Sequence, residues 1–198
     1  MIFTSASRNN PWLGAVCALA LFGAANIAHA DAQRDPALRD LLQKVNEKTD
    51  CFTDKYEAIV WYKAMEPRLQ RFVNSHEKRI EILDHVYCEA KRDKSVKLPP
   101  DLVLALIEVE SRFDPWAVSH AGAVGLMQVM PFWPKELGVQ NQLVRVAPNI
   151  RMGCEILRFY LRKERGDWAR ALARYNGSLG RNTYSSLVMS RWERGWRF

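Results

Sequence analysis

Histidine and cysteine are scarce in this chain, four of each in 198 residues. The cysteine spacings do not resemble a zinc site, and no histidine falls at a ligand offset from them. There is no glycine-rich phosphate loop, no internal repeat and no marked second domain boundary. No long tract carries charge of one sign. Basic residues are scattered among acidic ones and no recognition motif accompanies them, which argues against a nucleic-acid partner. Nothing in the sequence calls for a metal or a cofactor.

What is present is a chain with 48% hydrophobic residues and 26% charged ones, enough apolar material for one globular domain with a real core. The first thirty residues stand apart. Arg8 supplies a positive start, Trp12 to Ala24 is apolar, and Ala28-His29-Ala30 has the small-x-small pattern of a cleavage site. These features predict a secretory signal removed after Ala30. The apolar run is short for a membrane span. Gly14-Ala15-Val16 before Cys17 lacks the pattern of a lipidated cysteine. Losing the signal removes Arg8 and no acid, lowering the formal charge from +7 to +6. An exported basic protein suits an anionic polymer or surface. Export also permits a disulfide. Cys51 and Cys88 meet if the helical segments that hold them fold back antiparallel, and such a bridge stabilises by roughly 3–4 kcal/mol. Cys154 is then a buried thiol. Other pairings stay open at this point.

Beyond the signal the pattern is helical nearly throughout. A short helix is expected around Leu38, Leu41, Leu42 and Val45, and another over 54–66 with Ile59, Val60, Tyr62 and Met65 as its apolar positions. Pro67 is expected to open the next helix. Leu69, Phe72, Val73, His76, Ile80, Leu83 and Tyr87 follow at three- and four-residue steps. Asn74 with Glu77 reads as a capping box, and His76 as a packed or half-exposed structural histidine. Pro99-Pro100-Asp101 starts a strongly apolar helix ending at Glu110. Further helices are expected over 149–162 and 167–175. The Arg- and Trp-rich end, 191–198, reads as a packed Trp192 followed by a frayed terminus.

The chemistry centres on Glu110, which follows the near-continuous apolar run Leu102 to Ile107. Apolar walls and a helix C-terminus both disfavour the anion there, so the carboxyl holds its proton toward neutral pH and can donate it. Most glycosidases pair two carboxyl groups. Glu108 lies about 200° around the helix from Glu110. Asp114 precedes Pro115 and reads as a turn residue. With one good acid and no convincing partner, the pattern suits a reaction whose nucleophile comes from the substrate.

The run Glu110-Ser111-x-Phe113-Asp114-Pro115, Ala117, Ser119, Gly122-Ala123-x-Gly125-Leu126-Met127-Gln128-x-Met130-Pro131, then Ala171-x-Ala173-Arg174-Tyr175-Asn176, resembles the soluble lytic transglycosylase family. The resemblance spans roughly 98–180. It implies a mainly α, goose-lysozyme-like domain over 98–198, preceded by an N-terminal helical extension over 31–97 and the signal over 1–30. It implies cleavage of the β-1,4 bond between N-acetylmuramic acid and N-acetylglucosamine in peptidoglycan, giving a 1,6-anhydro end. Glu110 matches the family's acid and base, and Tyr175 the tyrosine beside that carboxylate. Ser111, Ser119, Gln128 and Asn176 match substrate-binding or supporting positions, and Met127 and Met130 line the cleft. Peptidoglycan strands are the implied partner, the periplasm the implied location, and a monomer, alone or within an envelope complex, the expected form. A hydrolytic muramidase on the same fold and a glycan-binding component of an envelope machine are the competing readings. Arg174 stands where the family commonly has Ala, and Gly177-Ser178 replaces a more usual Ala-Gly.

Overall fold

A computed structural model describes residues 51–52, 55–136 and 142–198. The signal, Cys17 and the helix expected near Leu38 lie outside the described residues. Helix α1 (Lys55–Leu69) and helix α2 (His76–Lys91) form an antiparallel pair. Then come α3 (Pro100–Ser111), the short α4 (Phe132–Glu136), α5 (Val146–Lys163), α6 (Trp168–Tyr175), α7 (Thr183–Arg191) and a π-helical turn, Trp192–Trp196. Among the described residues there is no strand, only isolated bridges joining Val118 to Val124 and Val124 to Val129. The mainly α class expected from the sequence is what these residues form. No helix among them is long and apolar enough to cross a membrane.

The first pair departs from the expected boundaries. Pro67 lies inside α1, two residues before its end, rather than opening a helix. Lacking an N–H, Pro67 forgoes the bond toward the Lys63 carbonyl, and the helix ends two residues later. The buried face of α1 is Trp61, Met65 and Leu69, spaced four apart, while Ile59 and Val60 point outward. Ser75, not Asn74, caps α2, its hydroxyl accepting from the Lys78 N–H at 3.2 Å. His76 leaves the apolar stripe and bonds Glu66 at 2.7 Å. Cys51 and Cys88 are joined in a disulfide, tying the chain ahead of α1 to α2. Cys154 is a buried free thiol whose pKa burial drives up.

Helix α3 is the centre of the molecule. Every residue from Asp101 to Ile107 is buried, and the helix packs against α2, α7 and the π-helical turn. Burying so continuous an apolar segment needs walls on all sides. The C-terminal segment supplies one of them. Trp196 is fully buried, and its indole N–H donates to Glu108 Oε2 at 2.6 Å. The Trp192 indole donates to Asp101 Oδ2 at 2.8 Å, and the Phe198 amide donates to the same oxygen at 3.1 Å. The end of the described chain is thus a strap across α3 rather than a frayed tail. On the other side, α5 meets α2 through Arg158, which is fully buried, pairs with Glu155 and donates to the Glu89 and Val96 carbonyls. Glu89 in turn pairs with Arg151 at 3.0 Å. A buried guanidinium with carbonyl and carboxylate partners avoids the cost of an unpaired charge.

Candidate active site

The site begins where α3 ends. Glu110 occupies the last turn, half-buried, where its carboxyl meets the C-terminal end of the helix dipole. Burial pushes its pKa up to about 7, against a smaller downward pull from a hydrogen bond with Tyr184. The Tyr184 hydroxyl, on α7, donates to Glu110 Oε1. Tyr175, at the end of α6, is also held near this carboxylate, since burial and the Glu110 charge together raise its pKa well above the usual value. Tyr184 is raised for the same causes. Both tyrosines therefore remain hydrogen-bond donors throughout the pH range in which Glu110 titrates.

The backbone turns sharply after the acid. Arg112 and Phe113 both adopt left-handed conformations, with φ of 51° and 66°. Such a pair is unfavourable for residues with a Cβ and persists only when the surroundings hold it. Several contacts do so. The Arg112 N–H donates to the Glu108 carbonyl at 3.1 Å. Phe113 is buried against Phe72 and Trp196, with ring centroids 5.3 and 5.4 Å away. The Ser111 hydroxyl accepts from the Phe113 N–H at 3.2 Å and donates to the Leu126 carbonyl at 2.8 Å. Ser111 thereby fastens the end of α3 to the 124–128 turn.

That turn is built from the residues singled out in the sequence. Gly125 has φ of 80°, and a Cβ on it would lie 2.2 Å from the Leu143 carbonyl oxygen, so only glycine fits. Gln128, also left-handed at φ 49°, is buried, and its amide nitrogen donates to the Gly125 and Ala117 carbonyls at 2.9 and 3.1 Å. Its nitrogen braces the loop; sugar recognition by this side chain would fall to its carbonyl oxygen. Met127 was expected to line the cleft, but its side chain is wholly buried and packs on Gly153, where an added Cβ would meet its sulfur at 2.5 Å. Its backbone carbonyl accepts from the Tyr175 hydroxyl at 2.7 Å. Met130 is half-buried. Ser119 is exposed, and its hydroxyl accepts from the Ala123 N–H at 3.0 Å. Asn176 is half-buried and ends α6, its N–H donating to the Leu172 carbonyl at 3.1 Å. Arg174, the departure from the family pattern, pairs with Glu164.

Two residues bonded into this site escaped the sequence reading. Asn149, in the first turn of α5, is buried; it accepts from the Met127 N–H at 2.7 Å and donates to the Val124 and Leu143 carbonyls at 2.9 and 2.8 Å. A buried asparagine at a helix start was the available signal. Tyr184 is the other. The remaining carboxylates near the acid in sequence are engaged elsewhere. Asp114 is exposed and accepts from the Trp116 N–H at 2.8 Å, holding the turn as expected. Glu108 is bound to Trp196 and lies 3.6 Å from Arg191. Among the described residues no group of three or more His, Cys, Asp or Glu is placed to hold a metal ion.

A helical domain thus sets one proton-holding glutamate near two tyrosines, beside a braced glycine-methionine-glutamine turn. The sequence pattern of the Transglycosylase SLT domain matches residues 87–189, and the chain belongs to that family. Membrane-bound lytic murein transglycosylase C of Actinobacillus pleuropneumoniae is 54% identical over 41 residues, covering 21% of this chain and 11% of that protein. The transglycosylase of Enterobacteria phage PRD1 is 37% identical over 93 residues, covering 47% of this chain and 34% of that one. An inactive mutant of lytic transglycosylase Slt from Pseudomonas aeruginosa superposes with a TM-score of 0.44 at 26% identity, over 63% of this chain and 22% of that one. The aligned part is thus about a tenth to a third of these relatives' own length.

Proposed function

We propose that this protein is a peptidoglycan lytic transglycosylase, cleaving the β-1,4 bond between N-acetylmuramic acid and N-acetylglucosamine without water. The observation that carries the reading is the environment of Glu110. Burial raises its pKa to about 7 against the downward pull of the Tyr184 bond, and no second carboxylate is among the causes. A group with that pKa is near half-protonated at neutral pH, so it can give a proton and take one back. As acid, Glu110 protonates the glycosidic oxygen and the bond to C1 breaks. As base, it accepts the proton of the muramoyl C6 hydroxyl, whose oxygen closes onto C1 to give the 1,6-anhydro sugar. The proton count balances over the two steps, and Glu110 ends as it began. Tyr184 stabilises the intervening carboxylate. General acid–base catalysis of this kind contributes about 10²–10⁴-fold, with positioning adding more.

Ser119, Met130 and the carbonyl of Gln128 are the surfaces offered to sugar. The Tyr175 hydroxyl braces the turn that carries Gln128 through the Met127 carbonyl, and Asn176 ends the same helix. The basic balance of the chain, +7 formally, suits a wall polymer that bears free carboxylates. Export to the periplasm, a monomeric form and work alone or within an envelope complex complete the proposal. Mass spectrometry of products from purified sacculi tests it. Anhydro-muropeptides are expected from the wild type and none from Glu110→Gln. Reducing-end muramic acid would identify a hydrolytic muramidase instead. Wall digestion unchanged by Glu110→Gln would leave a glycan-binding role.

A further inference from the structure

Glu108 interrupts the apolar run of α3 two residues before the acid, with its side chain 13% exposed. A carboxylate so nearly enclosed is costly unless it is bonded. Its Oε2 accepts the Trp196 indole N–H at 2.6 Å, and its Oε1 lies 3.6 Å from Arg191 Nε. The Glu110 carboxyl turns elsewhere, to Tyr184.

Trp196 also reaches the chain beyond the acid. Its ring, fully buried, packs on Phe113 with centroids 5.4 Å apart and on Phe72 at 6.3 Å. Phe113 is the second of two consecutive left-handed residues, with Arg112 at φ 51° and Phe113 at 66°. A residue with a Cβ keeps that conformation only where its surroundings hold it. One indole therefore touches the residue two before Glu110 and the residue three after it. The π-helical turn that carries it is closed by the Arg197 N–H, which donates to the Trp192 carbonyl at 2.7 Å. Such turns are rare and recur at functional sites. This one follows directly on α7, whose first turn holds Tyr184, so a single stretch of chain grips the acid by its carboxyl and by its backbone. The turn lies beyond 87–189, the residues that the family pattern matches.

We infer that Trp196, anchored by Glu108, is a positioning residue: it holds the Arg112–Phe113 kink in its left-handed form and so fixes where the end of α3 presents the Glu110 carboxyl. The inference rests on the proposed activity for its effect on turnover, but not for its effect on the placement of the carboxyl. Glycine separates this role from simple packing. It adopts positive φ without the Cβ penalty, so a glycine at the exposed Arg112 lessens the need for the clamp.

The test uses the full chain, at a temperature where circular dichroism shows each variant folded. Trp196→Phe keeps a ring and loses the N–H; Glu108→Ala leaves the indole in place without its anchor, and decides alone if the first variant does not fold. Each should lower kcat about tenfold on soluble glycan strands, with KM within about twofold of wild type. Adding Arg112→Gly to either should recover most of that loss. Carbon-13 NMR of the glutamate carboxyls reads the placement without substrate, the Glu110 signal being the one that Glu110→Gln removes. The clamp variants should bring its titration midpoint down toward the ordinary glutamate value as the carboxyl gains solvent, and Arg112→Gly should return it. If wild type yields no anhydro product the proposed activity fails, and the titration alone decides the positioning. An unchanged midpoint overturns the inference, as does an unchanged kcat in an active enzyme. A loss that Arg112→Gly leaves as it was overturns it too, for Trp196 would then act through packing alone.

Discussion

The Tyr184 hydroxyl donates to Glu110 Oε1, joining residues 74 apart in sequence and on different helices. This bond favours the anion, whereas burial favours the acid, and the balance leaves the carboxyl near pH 7. Removing the hydroxyl removes the downward pull alone. Tyr184→Phe should therefore raise the Glu110 pKa and move the alkaline limb of the pH–rate profile to higher pH. Turnover should fall about tenfold, because the carboxylate formed after proton donation loses a charge-assisted bond. A profile that keeps its midpoint would show that the bond has no part in tuning the acid.

Tyr175 acts on a different atom. Its hydroxyl donates to the Met127 carbonyl, so Tyr175→Phe loosens the turn that carries Gln128. The expected result is a loss of turnover larger than any loss of binding, plus about 1 kcal/mol of stability. Paired pH–rate profiles of the two phenylalanine variants separate the roles: only the Tyr184 variant should shift its midpoint strongly.

A glutamate whose folded pKa exceeds its unfolded one destabilises the fold as pH rises. Below about 4.5 both states hold the proton and Glu110 costs nothing. Between there and about 7 the unfolded chain releases the proton first, and the cost grows to about 3 kcal/mol. Glu110→Gln removes this term. The variant should unfold at higher temperature than wild type at pH 8, with the gap closing toward pH 4.5. Thermal melts across that range provide the check, and a gap independent of pH would contradict the burial of the charge.

Asn149 holds three backbone groups, of which the Val124 carbonyl also accepts from the Val129 N–H at 3.0 Å. Asn149→Ala should cost about 2 kcal/mol, chiefly because the buried Met127 N–H loses its acceptor. Activity should fall with it, because the released groups belong to the turn that also receives Ser111 and Tyr175. Replacing Arg174 on the outer ion pair with Glu164, by contrast, should change stability by less than about 1 kcal/mol.

Much of this site could be read before any coordinates. Glu110 was visible as a carboxyl closing an apolar stretch interrupted by Glu108, Gly125 as a residue that keeps its segment tight, and Gln128 as an amide among apolar neighbours that needs partners. The Cys51–Cys88 bridge was legible as the pairing that antiparallel helical segments would allow, with other pairings open, and it is the one formed. The misreadings have separate causes. Pro67 has the fixed φ and missing N–H that suit a first turn, yet it lies in the last turn of α1, where packing of Met65 and Leu69 on the core carries the helix past it. Met127 was assigned to the cleft by pattern, although the close approach of Gly153 turns it inward. Helix α7 went unread because its apolar positions do not form a clean stripe: Leu187 is 44% exposed while Val188 is buried. With that helix went Tyr184. A hydroxyl that reaches back to the acid from so far along the chain leaves no local mark; only packing against α3 reveals it.

Asp101 and Glu108 stand near opposite ends of α3, and the segment 192–198 is bonded to both. The helix that presents the acid is therefore sewn at two points to the last stretch of the chain. In hydrogen exchange the amides of α3 and those around Trp196 should open as one unit, at the rate of whole-molecule unfolding. The acid's supporting helix would then remain closed until the last step of disassembly, while the exposed Trp116 turn samples open states long before it.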